Sequence, residues 1–93
     1  MDTQEYVRRA QEAEADAKRA WENGERATWL LWNRAESWWG SALGAGKIAL
    51  EGKARCMRGA YNALSAYGES QFVLNNLLNK VVKAENVAEK WVD

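Results

Sequence analysis

Small and apolar residues recur along this chain in alternating steps of three and four positions. That spacing places side chains on one face of an α-helix, whereas a half-buried strand would show strict alternation. The pattern predicts three helices, over roughly residues 3–39, 42–67 and 71–91. We expect them to form a single helical domain over residues 1–93 without a β-sheet, because β-branched runs are few and proline is absent.

The first predicted helix has a clear start and an ambiguous interior. Asp2 or Thr3 can cap it, and Asp2 and Glu5 have the spacing of a capping box, which satisfies backbone N–H groups of the first turn. Asn23-Gly24 is a turn signal, so a break at residues 23–25 is one interpretation. Gly24 also continues a helical pattern of small residues, and a helical Gly costs only about 1 kcal/mol relative to Ala. We therefore expect a continuous or slightly bent helix.

Glycine-containing segments separate the remaining helices. Residues 40–47, GSALGAGK, hold three glycines and form the strongest turn signal in the chain. A second break is predicted at residues 67–70, where Gly68 can end one helix and Ser70 can cap the next. Short connections of this kind join antiparallel neighbours.

Two of the helices carry a continuous seam of small side chains. The seam of the first helix begins with Tyr6 and continues with Ala and Gly at positions 10, 13, 17, 20, 24 and 27. The seam of the second contains Ala, Gly and Cys56, at positions 42, 45, 49, 52, 56, 59, 63 and 66. Small side chains let helix axes approach toward the short end of the usual spacing of about 8–10 Å. We expect the two seams to pack on each other.

The second helix also carries bulky residues beside its small seam, namely Leu43, Leu50, Met57, Tyr61 and Leu64. A helix with two apolar faces contacts neighbours on two sides, so it should be central. The third helix carries a heptad stripe of apolar residues from Leu74 to Trp91. The predicted fold class is all-α: an antiparallel helical hairpin or a small three-to-four-helix bundle with close Ala/Gly packing.

Tryptophan is the most unusual feature of the composition, and four of the six lie between residues 29 and 47. Trp39 shares a helix face with Trp32, whereas Trp38 points about 100° away, so adjacent rings cannot both fill one narrow seam. Exposed Trp and Arg are enriched at binding hot spots. The candidate partner-binding residues are Trp29, Trp32, Trp38, Trp39 and Arg34. The alternative is that these rings fill the core.

A second candidate site is a basic strip. Lys47, Arg55 and Arg58 share the helix face opposite the small seam. Such a strip could bind phosphate groups or an acidic protein surface, so these three residues are the candidate anion-binding site. The alternative is an ordinary solvated helix face, which the balanced charge elsewhere favours.

Composition argues against several kinds of chemistry. Thirteen basic and thirteen acidic residues cancel, so no global field attracts nucleic acid or an anionic membrane. The chain has no histidine and one cysteine, Cys56, which removes the commonest general base and most zinc sites. We expect no catalytic residue, no metal and no cofactor, and hence no enzyme. No apolar stretch approaches about 18 residues, so we also expect no membrane span.

Trp38-Trp39-Gly40 spells W-x-G near the middle of the chain, between long proline-free helical segments. This layout resembles the WXG100 family, small helical hairpins that bacterial type VII systems secrete without a cleaved signal peptide. The resemblance implies secretion and a dimer. The family's C-terminal signal, an aromatic residue followed four positions later by an acid, is not found, since Asn76 follows Phe72 at that spacing.

These observations favour a non-enzymatic interaction protein that binds and blocks or bridges a macromolecular partner. A protein partner is expected, a homodimer is possible, and nucleic acid or a nucleotide is the alternative ligand of the basic strip. A phage or mobile-element anti-defence inhibitor, of the anti-CRISPR kind, suits a small helical chain of this composition. The second alternative is a WXG100-like secreted hairpin. The expected location is cytoplasmic, or extracellular if the WXG100 resemblance holds.

Overall fold

The computed structural model describes residues 1–92, and this part of the chain forms four α-helices. They are α1 (Thr3–Glu22), α2 (Thr28–Ser41), α3 (Lys47–Ala66) and α4 (Gln71–Lys90), with a short 3₁₀ turn at Leu43–Ala45. No strand occurs between residues 1 and 92. The predicted all-α class is confirmed, in the form of a small helical bundle.

The prediction of one continuous helix over residues 3–39 is wrong, because the chain breaks after Glu22. Gly24 takes φ +70°, a left-handed conformation that L side chains rarely adopt. The Glu25 N–H then donates to the Ala20 carbonyl at 2.9 Å, as in a Schellman motif. The alternative, a break at this glycine, is what the structure shows.

Thr28 fixes the point at which α2 folds back on α1. Its side chain is fully buried, and its hydroxyl donates to the Ala17 carbonyl at 2.9 Å. Folding back allows Trp32 and Trp39 to be buried, which stabilises the fold by roughly 4–6 kcal/mol per ring as an upper bound. A mid-helix glycine would be tolerated locally, but the burial of two indoles outweighs that local preference.

The two other predicted turns are confirmed. Gly46 (φ +74°) precedes α3, which starts at Lys47, later than predicted, because Leu43–Ala45 forms the 3₁₀ turn. Gly68 (φ +84°) ends α3 in the same way that the first break ends α1. The Ser70 hydroxyl caps α4 by accepting a hydrogen bond from a backbone N–H of its first turn.

The helices form a serial array in which α1 packs on α2, α2 on α3, and α3 on α4. Contact between α1 and α3 is marginal, and within residues 1–92 only α3 packs closely on α4. The predicted pairing of the two small seams is therefore wrong, because α2 lies between them. The prediction that α3 contacts neighbours on two sides is confirmed. The resulting molecule is flat, with Cα extents of 37 × 26 × 17 Å.

The main core lies in α1, α2 and α3, and consists of alanines, two tryptophans and Cys56. Helix α4 contributes a separate buried stripe at seven-residue spacing, formed by Leu74, Val81 and Ala88. None of the helices in residues 1–92 combines the length and the apolar character needed to cross a bilayer.

Candidate functional site

Trp32 and Trp39 fill the interface between α2 and α3, where each ring lies over a glycine. Trp39 covers Gly52 and Trp32 covers Gly59, since a Cβ atom on either glycine would lie 2.4 Å from the indole. The exposed fractions of Trp39 and Trp32 are 1% and 6%. For these two residues the alternative given for the tryptophan cluster, that the rings fill the core, is what the structure shows.

A buried carboxylate joins three helices at one end of this interface. Glu14 of α1 accepts a hydrogen bond from Trp39 Nε1 at 3.0 Å. Arg55 of α3 donates two more to the same carboxylate, from Nε at 2.6 Å and from Nη2 at 2.9 Å. Burial by itself would raise the pKa of Glu14, but the hydrogen bonds from Arg55 and Trp39 outweigh it and lower the pKa. Glu14 is therefore ionised at neutral pH.

The indole N–H of Trp32 has no such partner. Its Nε1 is buried and makes no hydrogen bond within residues 1–92. Leaving a buried donor unpaired costs about 1–3 kcal/mol. The two rings therefore differ in kind: Trp39 is held by packing and a hydrogen bond, and Trp32 by packing.

Cys56 lies in the small seam of α3, between the two glycines that receive the rings. The side chain is fully buried, as predicted for a small apolar residue of this seam. Burial and the nearby Glu14 carboxylate raise the pKa of its thiol. The nucleophilic thiolate is thus disfavoured at this position.

The rest of the predicted partner-binding set does not form one surface. Trp38 is half-buried against Tyr6 of α1, with ring centroids 6.1 Å apart. Arg34 is exposed and lines, with Trp38, a hollow of about 130 Å³ between α1 and α2. Trp29 lies on the other side of α2, in a depression that it shares with α3 and α4. The structure thus separates Trp29 from Trp38 and Arg34.

The predicted basic strip is largely neutralised by ion pairs. Arg55 is paired with Glu14, and Arg58 donates to both carboxylate oxygens of Glu85 at 2.8 and 3.0 Å. Both guanidinium groups line one shallow depression of about 450 Å³, together with Lys47 at the start of α3. Either arginine would have to break its ion pair to bind a phosphate. The arrangement therefore favours a structural role, in which Arg55 links α3 to α1 and Arg58 links α3 to α4.

The structure contains a groove that the sequence analysis missed. It runs along α3 between α2 and α4, and it exists because α4 packs on α3 and not on α2. The floor consists of Leu50, Met57 and Leu64 of α3, at seven-residue spacing. We call this surface, with the walls described next, the α3 groove.

Both walls of the α3 groove repeat the seven-residue spacing of its floor. The α2 wall has Trp29 and Glu36, and the α4 wall has Val73, Lys80 and Val87. Seven residues make nearly two helical turns, so each stripe follows its helix axis. A stripe spanning 14 residues is about 21 Å long. The three stripes therefore align the two depressions, around Met57 and around Leu64, along the α3 axis.

The two ends of the α3 groove differ in charge. The end around Met57 has a volume of about 390 Å³ and is lined by Lys53, Lys80 and Lys83, with Glu36 as its carboxylate. Burial raises the pKa of Glu36, and the charges of Lys53 and Lys80 offset part of that shift.

The other end, around Leu64, has a volume of about 440 Å³. Arg26 and Glu69 line this end, so its opposite charges balance. Arg26 also lies over the Tyr67 ring, 5.9 Å from its centroid. Excess positive charge is thus confined to the Met57 end.

One sequence signal could have indicated the groove. The apolar positions of α4 cover more of its circumference than contact with one neighbouring helix can bury, because Val73 and Val87 lie to one side of the stripe that includes Val81. A helix of this kind has either a second partner or an exposed apolar flank. Periodicity alone does not say which helix is missing from that flank.

Comparison with protein-family models, with curated proteins and with solved structures finds no match to this chain. Within residues 1–92, no group of three or more potential metal ligands lies close together. The geometry of the molecule itself is therefore the basis for a functional proposal.

Proposed function

We propose that this protein is a non-enzymatic interaction module that binds a macromolecular partner, in the first place a protein, through the α3 groove. The floor of the groove is made of half-buried leucine and methionine side chains. Val73 and Val87 in its wall are 40% and 50% exposed. Apolar grooves with polar rims are typical protein-binding surfaces. The exposed apolar surface of the α3 groove is the observation that carries the proposal.

The proposal moves the binding surface away from the centre of the tryptophan cluster. Trp32 and Trp39 are buried, and Trp38 faces α1, whereas Trp29 lines the α3 groove. Trp29 is therefore the member of the predicted partner-binding set that keeps this role. Its half-buried indole can add a large, rigid contact surface to the α2 wall.

Two observations support a role without catalysis. The chain has no histidine, and burial raises the pKa of the Cys56 thiol, so the common general base is missing and the thiol is poorly reactive. The buried carboxylate of Glu14 is already engaged by Arg55 and Trp39. Cys56 and Glu14 therefore contribute to packing and to contacts between helices.

Blocking a partner is one form of this function, and it requires only a surface. An anti-defence inhibitor of the anti-CRISPR kind would act by occupying a site on its target through the α3 groove. This form rests on the small size and the composition of the chain together with the groove.

The test is affinity capture from a lysate of the cells that carry the gene. Met57→Glu places a charge on the groove floor and should abolish capture. Leu30→Glu makes the same change on α2 at a position that is 54% exposed and does not line the groove, and it should leave capture intact. Circular dichroism checks that each variant is folded, and Val87→Glu on the wall replaces Met57→Glu if that variant unfolds.

Capture that survives both groove variants would contradict the proposal. Loss of capture in Trp38→Ala, with both groove variants still binding, would place the binding surface on the α1–α2 side. Failure to capture any macromolecule with the unaltered protein would remove the proposed function as a whole.

A further inference from the structure

We infer that the occupant of the α3 groove is an amphipathic α-helix of a partner protein, with acidic side chains flanking its apolar stripe. This inference rests on the proposed function, and it adds the shape and the charge of the ligand.

The shape of the groove matches a helix. Its floor and both walls repeat every seven residues, as Leu50, Met57 and Leu64 do on α3. A helix laid parallel to these stripes presents apolar side chains at the same spacing and inserts them between the walls. An extended strand would instead need an exposed sheet edge, and no strand occurs in residues 1–92. A helix of about four turns has the same length, about 21 Å, as the stripes of the α3 groove.

The charge of the groove selects an acidic helix. Lys53, Lys80 and Lys83 line the Met57 end against the single carboxylate of Glu36. Within residues 1–92, none of these three lysines forms an ion pair at 4.0 Å or less. Two of them lie close enough to Glu36 to lower its pKa, and that carboxylate is already half-buried. Acidic side chains on the ligand would pair with the lysines, whereas basic ones would meet like charge.

A second copy of the chain fits the groove poorly. Helix α1 exposes a face of paired charges, such as Arg8 with Glu12 and Arg19 with Asp16, in place of an apolar stripe. Helix α4 exposes Val73 and Val87 towards the groove, but Lys80 lies on the same flank of the helix. Docking this flank of α4 from one copy in the groove of another would bring lysines against lysines. The ligand is therefore expected to come from a different protein.

The experiment uses two fluorescein-labelled peptides of about 16 residues with the same leucine heptad stripe. One carries Glu at its flanking positions and the other carries Lys. Fluorescence anisotropy with the full chain should show the acidic peptide binding about 10-fold more tightly, because about two additional ion pairs contribute and like charges are avoided. The preference should weaken between about 50 mM and about 500 mM salt.

Variants place the binding in the groove. Lys80→Glu should remove the preference for the acidic peptide, and Val87→Glu should weaken its binding about 10-fold by putting a charge in the apolar wall. Arg19→Glu changes the net charge by the same amount as Lys80→Glu, but on α1, and it should leave the preference unchanged. Light scattering across a dilution series gives the oligomeric state of the chain without peptide.

Several outcomes would overturn the inference. These are equal binding of both peptides, no binding of the acidic peptide, or acidic binding that is insensitive to both groove variants. A dimer that Val87→Glu dissociates would assign the groove to a second copy of the chain. Any of these together with groove-dependent capture from the lysate would reject the acidic helix and leave the proposed function in place. If the unaltered protein also captures no macromolecule from the lysate, the proposed function and the acidic-helix inference are both rejected.

Discussion

Helix α3 has two interfaces of opposite construction. On the α2 side, two indole rings lie on Gly52 and Gly59, and the rings are almost completely buried. On the α4 side, aliphatic side chains pack beside an ion pair between Arg58 and Glu85, whose side chains are 38% and 39% exposed. Both interfaces bury apolar side chains, but the first is held by rings packed on glycines, whereas the second has an ion pair in contact with solvent.

The difference shows how one helix can serve as both core and binding surface. A ring that lies on a glycine fixes the register of the two helices. If the helices shifted, the ring would meet a residue with a Cβ atom and clash with it. Aliphatic stripes that repeat every seven residues define their register less strictly. The α2 side therefore sets the fold, while the looser α4 side leaves room for the α3 groove.

The largest expected effect concerns the interface that carries more of the stability. Trp39→Ala removes the ring over Gly52 and should lower the free energy of unfolding by about 3–5 kcal/mol. Leu74→Ala, the matched deletion in the α4 interface, should cost about 2–3 kcal/mol, because removing a leucine side chain opens a smaller cavity than removing an indole. Chemical denaturation measures both values. A larger loss for Leu74→Ala would reverse the comparison between the two interfaces.

The glycine contacts give the next effect. Gly52→Ala should destabilise the protein by about 1–3 kcal/mol, because the added methyl would lie 2.4 Å from the Trp39 ring. Gly40→Ala is the matched control in α2, since nothing lies within 4 Å of a Cβ atom there. It should stabilise the protein by about 0.5–1 kcal/mol by restricting the unfolded chain. Thermal unfolding of the two variants should shift in opposite directions, and shifts of the same sign would contradict the ring-on-glycine account.

A smaller effect separates the two rings. Trp39→Phe removes a donor and leaves Glu14 without that hydrogen bond, whereas Trp32→Phe removes an N–H that has no partner in residues 1–92. Trp39→Phe should therefore cost about 1–2 kcal/mol more than Trp32→Phe. Denaturation of the pair at neutral pH gives the difference directly. Equal costs would mean that the hydrogen bond to Glu14 does not distinguish the rings.

The smallest expected effect is a pH dependence. The pKa of Glu14 is lower in the folded chain than its unfolded value of about 4.3, so its stabilising contribution is complete above about pH 5. That contribution is lost as the pH falls through the lower, folded pKa. Glu14→Gln should therefore cost about 1–2 kcal/mol at pH 7 and progressively less below pH 4.

Glu85→Gln is the matched variant of the α4 interface. Arg58 also lowers the pKa of Glu85, but this pair is exposed to solvent, so the cost at pH 7 should stay below about 1 kcal/mol. Stability measured from pH 3 to pH 7 tests both variants. A difference between the unaltered protein and Glu14→Gln that does not change with pH would show that the carboxylate charge contributes nothing.

Some of the candidate site could have been predicted from the sequence, and some could not. The burial of Cys56 followed from its place in a seam of small residues, and this prediction is confirmed. For Trp32 and Trp39 the sequence left both exposure and core burial open, because an amphipathic pattern gives the direction of a side chain on its helix without saying what lies opposite. The ion pair of Arg55 with Glu14 joins residues 41 positions apart, and sequence spacing carries no signal for such a contact.

The sequence by itself determined the helical class, the turns at Gly46 and Gly68, and the caps at Asp2 and Ser70. Asp2 caps α1 by accepting the Glu5 N–H at 2.9 Å, and Gly68 ends α3, both as expected. These features depend on backbone preferences within a few residues, which a short stretch of chain encodes completely.

Only the tertiary structure decided the break after Glu22, the choice of α2 as the partner of both small seams, and the α3 groove. Each of these depends on which helix lies beside which, and the same periodic pattern fits several neighbours equally well. Burial of the Trp32 and Trp39 rings on Gly59 and Gly52 resolves that ambiguity, because it removes the largest apolar surfaces from water. One face of α3 packs against these rings, and another face packs against α4. The α3 groove is the surface of α3 that remains between α4 and α2.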